Sequence, residues 1–198
     1  TGCILFQDAV QNPERQSRKK YYCAASSLPG EPLCTAPVSK VLRQVEGAGV
    51  KQNGWVGGDA WFGCVMTCVE VWNRFEVHSA FIVKGNINFF PTRAFHAILQ
   101  ARFGKRPAGH LVVMETVAAG VKIFAMAYAW SHWGVSYIVS TCGDMSTHKE
   151  KYMSAFEDDW GRIQYEMLEG PRIAHFLYKY LPLIEEHNEQ FQNLVRIF

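Results

Sequence analysis

Asp59 is the residue of this chain best placed to do chemistry. It follows Gly54-Trp55-Val56-Gly57-Gly58, a short apolar strand ending in two glycines, and precedes Ala60-Trp61-Phe62, where an amphipathic helix begins. The spacing predicts a strand-to-helix corner with a carboxylate at its tip, and ligands collect at such carboxyl ends of strands in α/β proteins. The other useful acids are Glu185 and Glu186, next to His187 and Asn188 on the last helix and beside its apolar stripe. A helix residue flanking a buried face can point along a sheet edge towards a strand-end carboxylate. Two or three carboxylates meeting there would hold Mg²⁺ or Mn²⁺, hard cations that take oxygen ligands and keep positions open for phosphate and water. A pair of such ions activates an attacking oxygen and stabilises the leaving one in phosphoryl transfer. Asp59 also suits a helix N-cap, and the two roles are compatible. Glu185 and Glu186 equally suit a solvated helix face, and His187 a satisfied boundary position.

Basic residues offer the complementary chemistry. Lys84 closes an apolar strand, where its ammonium can reach a DNA phosphate or simply snorkel to water. Arg15, Arg18, Lys19 and Lys20 lie close together in the polar run Gln11–Lys20, either a phosphate-contacting patch or a solvated turn. Asp158-Asp159 read as solvated and Asp144 as a turn residue. No Ser/His/Asp order, phosphate-binding loop or dinucleotide glycine fingerprint is present, and Gly57-Gly58 alone does not make one.

Composition sets the outer limits. With 198 residues and 48% hydrophobic content, the chain suits one α/β domain spanning 1–198 with a real core. A net charge of +2 is too small to imply a nucleic-acid partner in bulk, so local patches must carry that argument. No run approaches the roughly 18 apolar residues of a membrane span. Cysteines at 3, 23, 34, 64, 68 and 142 include no CxxC pair, which argues against a zinc knuckle and for reduced, buried thiols in an intracellular protein. The opening Thr1-Gly2-Cys3, without a Met or a leader, fits a chain cut from something longer.

The positioning elements follow from periodicity. Cys3–Phe6 reads as a strand and Ser26–Pro37, with three prolines, as a loop. Helices are predicted over Val38–Glu46, Trp61–Arg74 and Pro91–Arg102, and a buried strand over Val77–Lys84. Leu111–Met114, Val121–Tyr128 and Val135–Ser140, joined by short links, predict an antiparallel meander. Gly143–Gly161 reads as a polar surface excursion. Gly170-Pro171 opens a helix with Ile173, Phe176, Leu177 and Tyr180 inside, which Pro182 must kink or restart. The sum is a mixed central sheet with helices.

These residues together resemble a known family. Gly58-Asp59-Ala60-Trp61-Phe62 is similar to the Gly-Asp-x-Trp-Phe motif of the piggyBac-type transposases and their domesticated relatives. Ile82-Val83-Lys84, Arg106-Pro107-Ala108-Gly109, Ile138–Cys142 and Ile184-Glu185-Glu186-His187-Asn188 resemble further family segments, in order, over most of Gly54–Asn188. The resemblance implies a ribonuclease-H-like (DDE transposase/integrase) domain, in which three acids and two divalent metals, Mg²⁺ or Mn²⁺, nick DNA and join a 3′-hydroxyl to a target phosphodiester. Asp59 matches the second acid, and Glu185 falls where the family has its third, normally Asp. The first acid precedes a Thr-Gly like Thr1-Gly2, so the first strand is truncated here. Cys64 stands where the family has Ser. DNA (transposon ends and target), a homodimer and a nuclear location are the implied setting.

Three readings follow. One is a transposase-derived catalytic domain, an incomplete or decayed copy inactive as it stands. A second is a domesticated, non-catalytic DNA- or protein-binding domain, with Trp130, Trp133 and Trp160 as surface contacts. A third reading is an unrelated α/β binding domain in which Asp59 is only a cap.

Overall fold

Val38, Val41, Leu42 and Val45 recur at i, i+3, i+4 and i+7, and they form the buried stripe of α1 (Ala36–Gly47). The computed structural model describes residues 36–85, 90–104, 108–131, 134–143, 146–158 and 160–177. The expected strand Cys3–Phe6, the cluster Arg15, Arg18, Lys19 and Lys20, and the helix carrying Glu185 lie outside those residues.

Beyond α1 come β1 (Trp55–Gly58), α2 (Val65–Phe75), β2 (His78–Val83) and α3 (Thr92–Phe103). The meander follows as β3 (Leu111–Ala118), β4 (Val121–Ala129) and β5 (Val135–Ser140). The five strands form one mixed sheet in the order β1-β2-β5-β4-β3. Only β1 and β2 are parallel, from Trp55 opposite His78 to Gly58 opposite Phe81, and a parallel pair needs the crossover that α2 supplies. β3 turns into β4 through Ala119 and Gly120, both at positive φ (48° and 79°), the backbone of a tight hairpin.

Strand alternation divides the sheet into two faces. Phe81 and Val83, Ile123 and Ala125, and Tyr137 and Val139 join the larger core, with Val38, Val41, Leu42 and Val45 of α1, Cys68, Val69 and Val71 of α2, and Phe95 and Leu99 of α3. Ala80, Met126, Tyr128 and Ile138 face the other way and meet Ile173, Ala174 and Leu177 of a helical segment at 172–177. Cys68 sits fully buried in the larger core, which pushes its thiol up to about 12, so this cysteine is an inert packing group.

Two expectations change. Gly143–Gly161 is not a polar excursion: Thr147–Glu157 (β6) pairs antiparallel with Ile163–Pro171 (β7) as a separate ribbon. Its alternation was obscured because one side stays in solvent although it is apolar, with Met153 opposite Met167 and Ala155 opposite Tyr165. Gly170-Pro171 therefore ends a strand, Pro171 opposite Thr147, and the helix begins after it.

Asp158 is likewise no solvated acid. It holds the ribbon's turn: Oδ1 accepts the Trp160 and Arg162 N–H groups at 3.0 and 2.9 Å, and Oδ2 accepts from Arg162 Nε and Gln164 Nε2 at 3.0 and 3.1 Å. These donors, the Arg162 backbone N–H foremost, hold its carboxyl below the ordinary value. A depressed folded-state value means the ribbon turn is held above the ordinary Asp range of about 4 and released as pH falls below it. Near-UV circular dichroism of the exposed Trp160 is expected to lose its signal on that descent, and Asp158→Asn to remove the pH dependence.

Candidate functional site

The corner around Asp59 is built by close packing. A Cβ on Gly58 would stand 3.1 Å from the Phe81 ring and 3.5 Å from Phe62, and one on Gly63 would lie 1.7 Å from the Ile82 carbonyl oxygen. The chain after β1 thus runs hard against β2, and at Gly63 only glycine fits. That approach delays the helix: Trp61–Arg74 was expected, but α2 starts at Val65. Cys64 is its N-cap, extended at φ −154°, ψ 162°, with Sγ accepting the Thr67 N–H at 3.4 Å.

Asp59 is therefore not the helix cap its position suggested. It is exposed, and its Oδ1 accepts the Trp61 N–H at 3.0 Å while its carbonyl accepts the Phe62 N–H at 3.2 Å. The side chain closes a turn and leaves Oδ2 without a hydrogen-bond partner among the described residues. Because β1 and β2 are parallel, their carboxyl ends share one edge, and Lys84 follows β2 there. Its ammonium lies 5.9 Å from the Trp61 ring centroid. One edge of the sheet thus presents an anion, an indole and a cation. Trp61 as the floor under Lys84 was not singled out from sequence, because pairing of neighbouring strand ends is a tertiary fact.

The helical segment at 172–177 also reaches β1. A Cβ on Gly57 would meet Leu177 Cδ2 at 3.2 Å and Phe176 Cε1 at 3.5 Å, and the Phe176 ring lies 5.7 Å from Trp55. This contact is two positions before Asp59.

Ile138–Cys142 goes elsewhere. β5 is antiparallel to β2, so its end lies at the opposite edge from Asp59. There the Ser79 N–H donates to Thr141 Oγ1 at 2.9 Å, Ser140 Oγ donates to the Ser79 carbonyl at 2.8 Å, and the Cys142 N–H donates to Ser140 Oγ at 3.0 Å. These hydroxyls tie strand ends together. Of the tryptophans named as surface contacts, Trp130 and Trp160 are exposed and Trp133 lies outside the described residues.

Among the described residues no three His, Cys, Asp or Glu side chains group closely enough to hold a metal ion. Asp59 by itself offers one carboxylate with one oxygen already engaged, whereas a hard divalent cation needs more oxygens than that. Glu185, with Arg15, Arg18, Lys19 and Lys20, lies outside the described residues.

No protein-family model and no curated protein matches this chain. A solved structure, the cryo-EM synaptic complex of piggyBac transposase with hairpin DNA, is similar at 16% identity and a TM-score of 0.44 over 64% of this chain. The chain spans 24% of that protein's length, a distant structural likeness.

The corner makes one expectation sharp. Gly63→Ala drives a methyl group into the Ile82 carbonyl, and it is expected to destabilise by about 3 kcal/mol. Urea unfolding of the variant beside native protein measures this.

Proposed function

We infer that this chain is part of a ribonuclease-H-like domain for DNA phosphoryl transfer, of the piggyBac transposase kind, with Asp59 and Glu185 as its metal-holding acids. The observation that carries the reading is the exposed Asp59 at the carboxyl end of β1, beside Lys84 at the end of the parallel strand β2. Support also comes from the ordered motifs over Gly54–Asn188, and from the seating of Phe176 and Leu177 on Gly57, at the start of the segment leading to Glu185. Bound Mg²⁺ or Mn²⁺ would supply charge neutralisation at a phosphodiester and a more acidic attacking oxygen. The chain's own part is positional. The turn closed by Oδ1 fixes Asp59, and Lys84 offers an ammonium to a phosphate oxygen. DNA and a nuclear location belong to the same reading.

A second reading, a domesticated DNA- or protein-binding domain without catalysis, draws on the Lys84 ammonium over Trp61, which needs no metal to meet a phosphate. Salt-dependent DNA binding that survives Asp59→Ala and Glu185→Ala without Mg²⁺ would favour it.

Mn²⁺ titration followed by NMR separates the two. Selective paramagnetic broadening is expected at the amides around Asp59 and Glu185 and is expected to vanish in Asp59→Asn. That variant keeps the turn acceptor, so its stability should stay within about 0.5 kcal/mol of native. No selective broadening at either residue would overturn the metal-site reading.

A further inference from the structure

Between Glu76 and Glu115 the chain has no acidic residue and five basic ones, Lys84, Arg93, Arg102, Lys105 and Arg106. Protein surfaces ordinarily intersperse both signs. The contrast within this chain is wide, since residues 147–171 hold six Asp/Glu against three Lys/Arg. α3 lies in the middle of the acid-free stretch. Phe95 and Leu99 are its buried stripe. Arg93, Ala97 and Gln100 stack at i, i+4 and i+7 on the solvent side, flanked by His96 and Ala101, and all five are exposed. Among the described residues Arg93 has no ion-pair partner.

This face adjoins the Asp59 edge. Gly85, next after Lys84, is so close to the start of α3 that a Cβ on it would lie 3.7 Å from Thr92 Cγ2 and 3.1 Å from Tyr137 Cε2. Tyr137 is paired with Val83 across the sheet, and its hydroxyl is hydrogen-bonded to His96 Nε2 at 2.6 Å. The N-terminal end of α3, which carries Arg93, is therefore pinned next to the end of β2.

We propose that the solvent face of α3 is a docking surface for duplex DNA, with Arg93 as a phosphate anchor. The proposal rests on the DNA-directed reading of the Asp59 edge and extends it to a surface that needs no metal. A face that carries Arg93 and no carboxylate favours an anionic partner. The small side chains of Ala97 and Ala101 allow the helix axis to come close to a backbone, and Gln100, about 10 Å along the axis from Arg93, adds a neutral donor. A protein partner would look for an exposed aromatic, Leu or Met anchor. The exposed large apolar residues lie elsewhere, at Trp160, Tyr165, Met153 and Met167 among others, and α3 has none.

Binding of a short fluorescent duplex, followed by polarisation in EDTA over a series of KCl concentrations, tests this. Each phosphate contact contributes about −0.9 to the slope of log affinity against log salt. Arg93→Gln is expected to make the slope shallower by about that amount. Ala97→Glu, an exposed substitution by a good helix former, is expected to weaken binding about tenfold by setting a carboxylate against phosphate. Arg43→Gln, on the exposed side of α1, removes the same charge elsewhere and is expected to leave the slope unchanged. Equal effects of Arg43→Gln and Arg93→Gln, or native binding by Ala97→Glu, would overturn the proposal while leaving the Asp59 site to its own Mn²⁺ test. A native chain that binds no duplex in EDTA would overturn it as well, and selective Mn²⁺ broadening at Asp59 would then show whether the metal site stands without this surface. Far-UV circular dichroism confirms that each variant is folded.

Discussion

Parallel pairing of β1 with β2 is the constraint on which the rest depends. Two neighbouring parallel strands end at the same edge, so the residue after each is delivered to one place. Here those residues are Asp59 and Lys84. Had β2 run the other way, as β5 does beside it, the carboxylate and the ammonium would lie at opposite ends of the sheet. That happens to the Ser140-Thr141-Cys142 segment, whose polar groups lock the far end of β2 and take no part in the Asp59 edge.

The parallel pair carries a steric demand. The chain leaving β1 must cross β2 and return as a helix, and at Gly63 it passes so close to Ile82 that no side chain fits. The helix can start only after this crossing, so Cys64 takes the cap and Asp59 is released from that duty into a short exposed turn. The same crowding explains neighbouring letters of the motif: Gly58 faces the rings of Phe81 and Phe62, and Trp61 lies beneath Lys84. A carboxylate left exposed at a rigid corner is free to bind something outside the chain.

Charge is segregated on the same scaffold. The acid-free stretch that begins after Glu76 contains β2, Lys84 and α3, while the β6–β7 ribbon is acidic and holds its turn through Asp158. The ribbon also carries the exposed Met153, Tyr165 and Met167, and α3 presents only polar and small groups to solvent. Surfaces of such different chemistry on one chain suit different partners.

Periodicity alone determined much of this. The i, i+3, i+4 spacing of Val38, Val41, Leu42 and Val45 marks a buried helix face, and the apolar runs from Leu111 to Ser140 with their short links mark a meander, so α1, β2, α3 and the meander were legible to within a few residues. The acid at the β1 corner was legible as well, because glycines before a carboxylate mark a strand end. What sequence did not disclose depends on contacts between distant residues. The β6–β7 ribbon leaves an apolar side in solvent, which breaks the in–out pattern. The late start of α2 follows from Gly63 meeting Ile82, and the role of Asp158 from donors grouped by a turn. Local spacing decides which side of an element is buried, and only packing of one backbone against another decides where that element begins and which side chains share an edge.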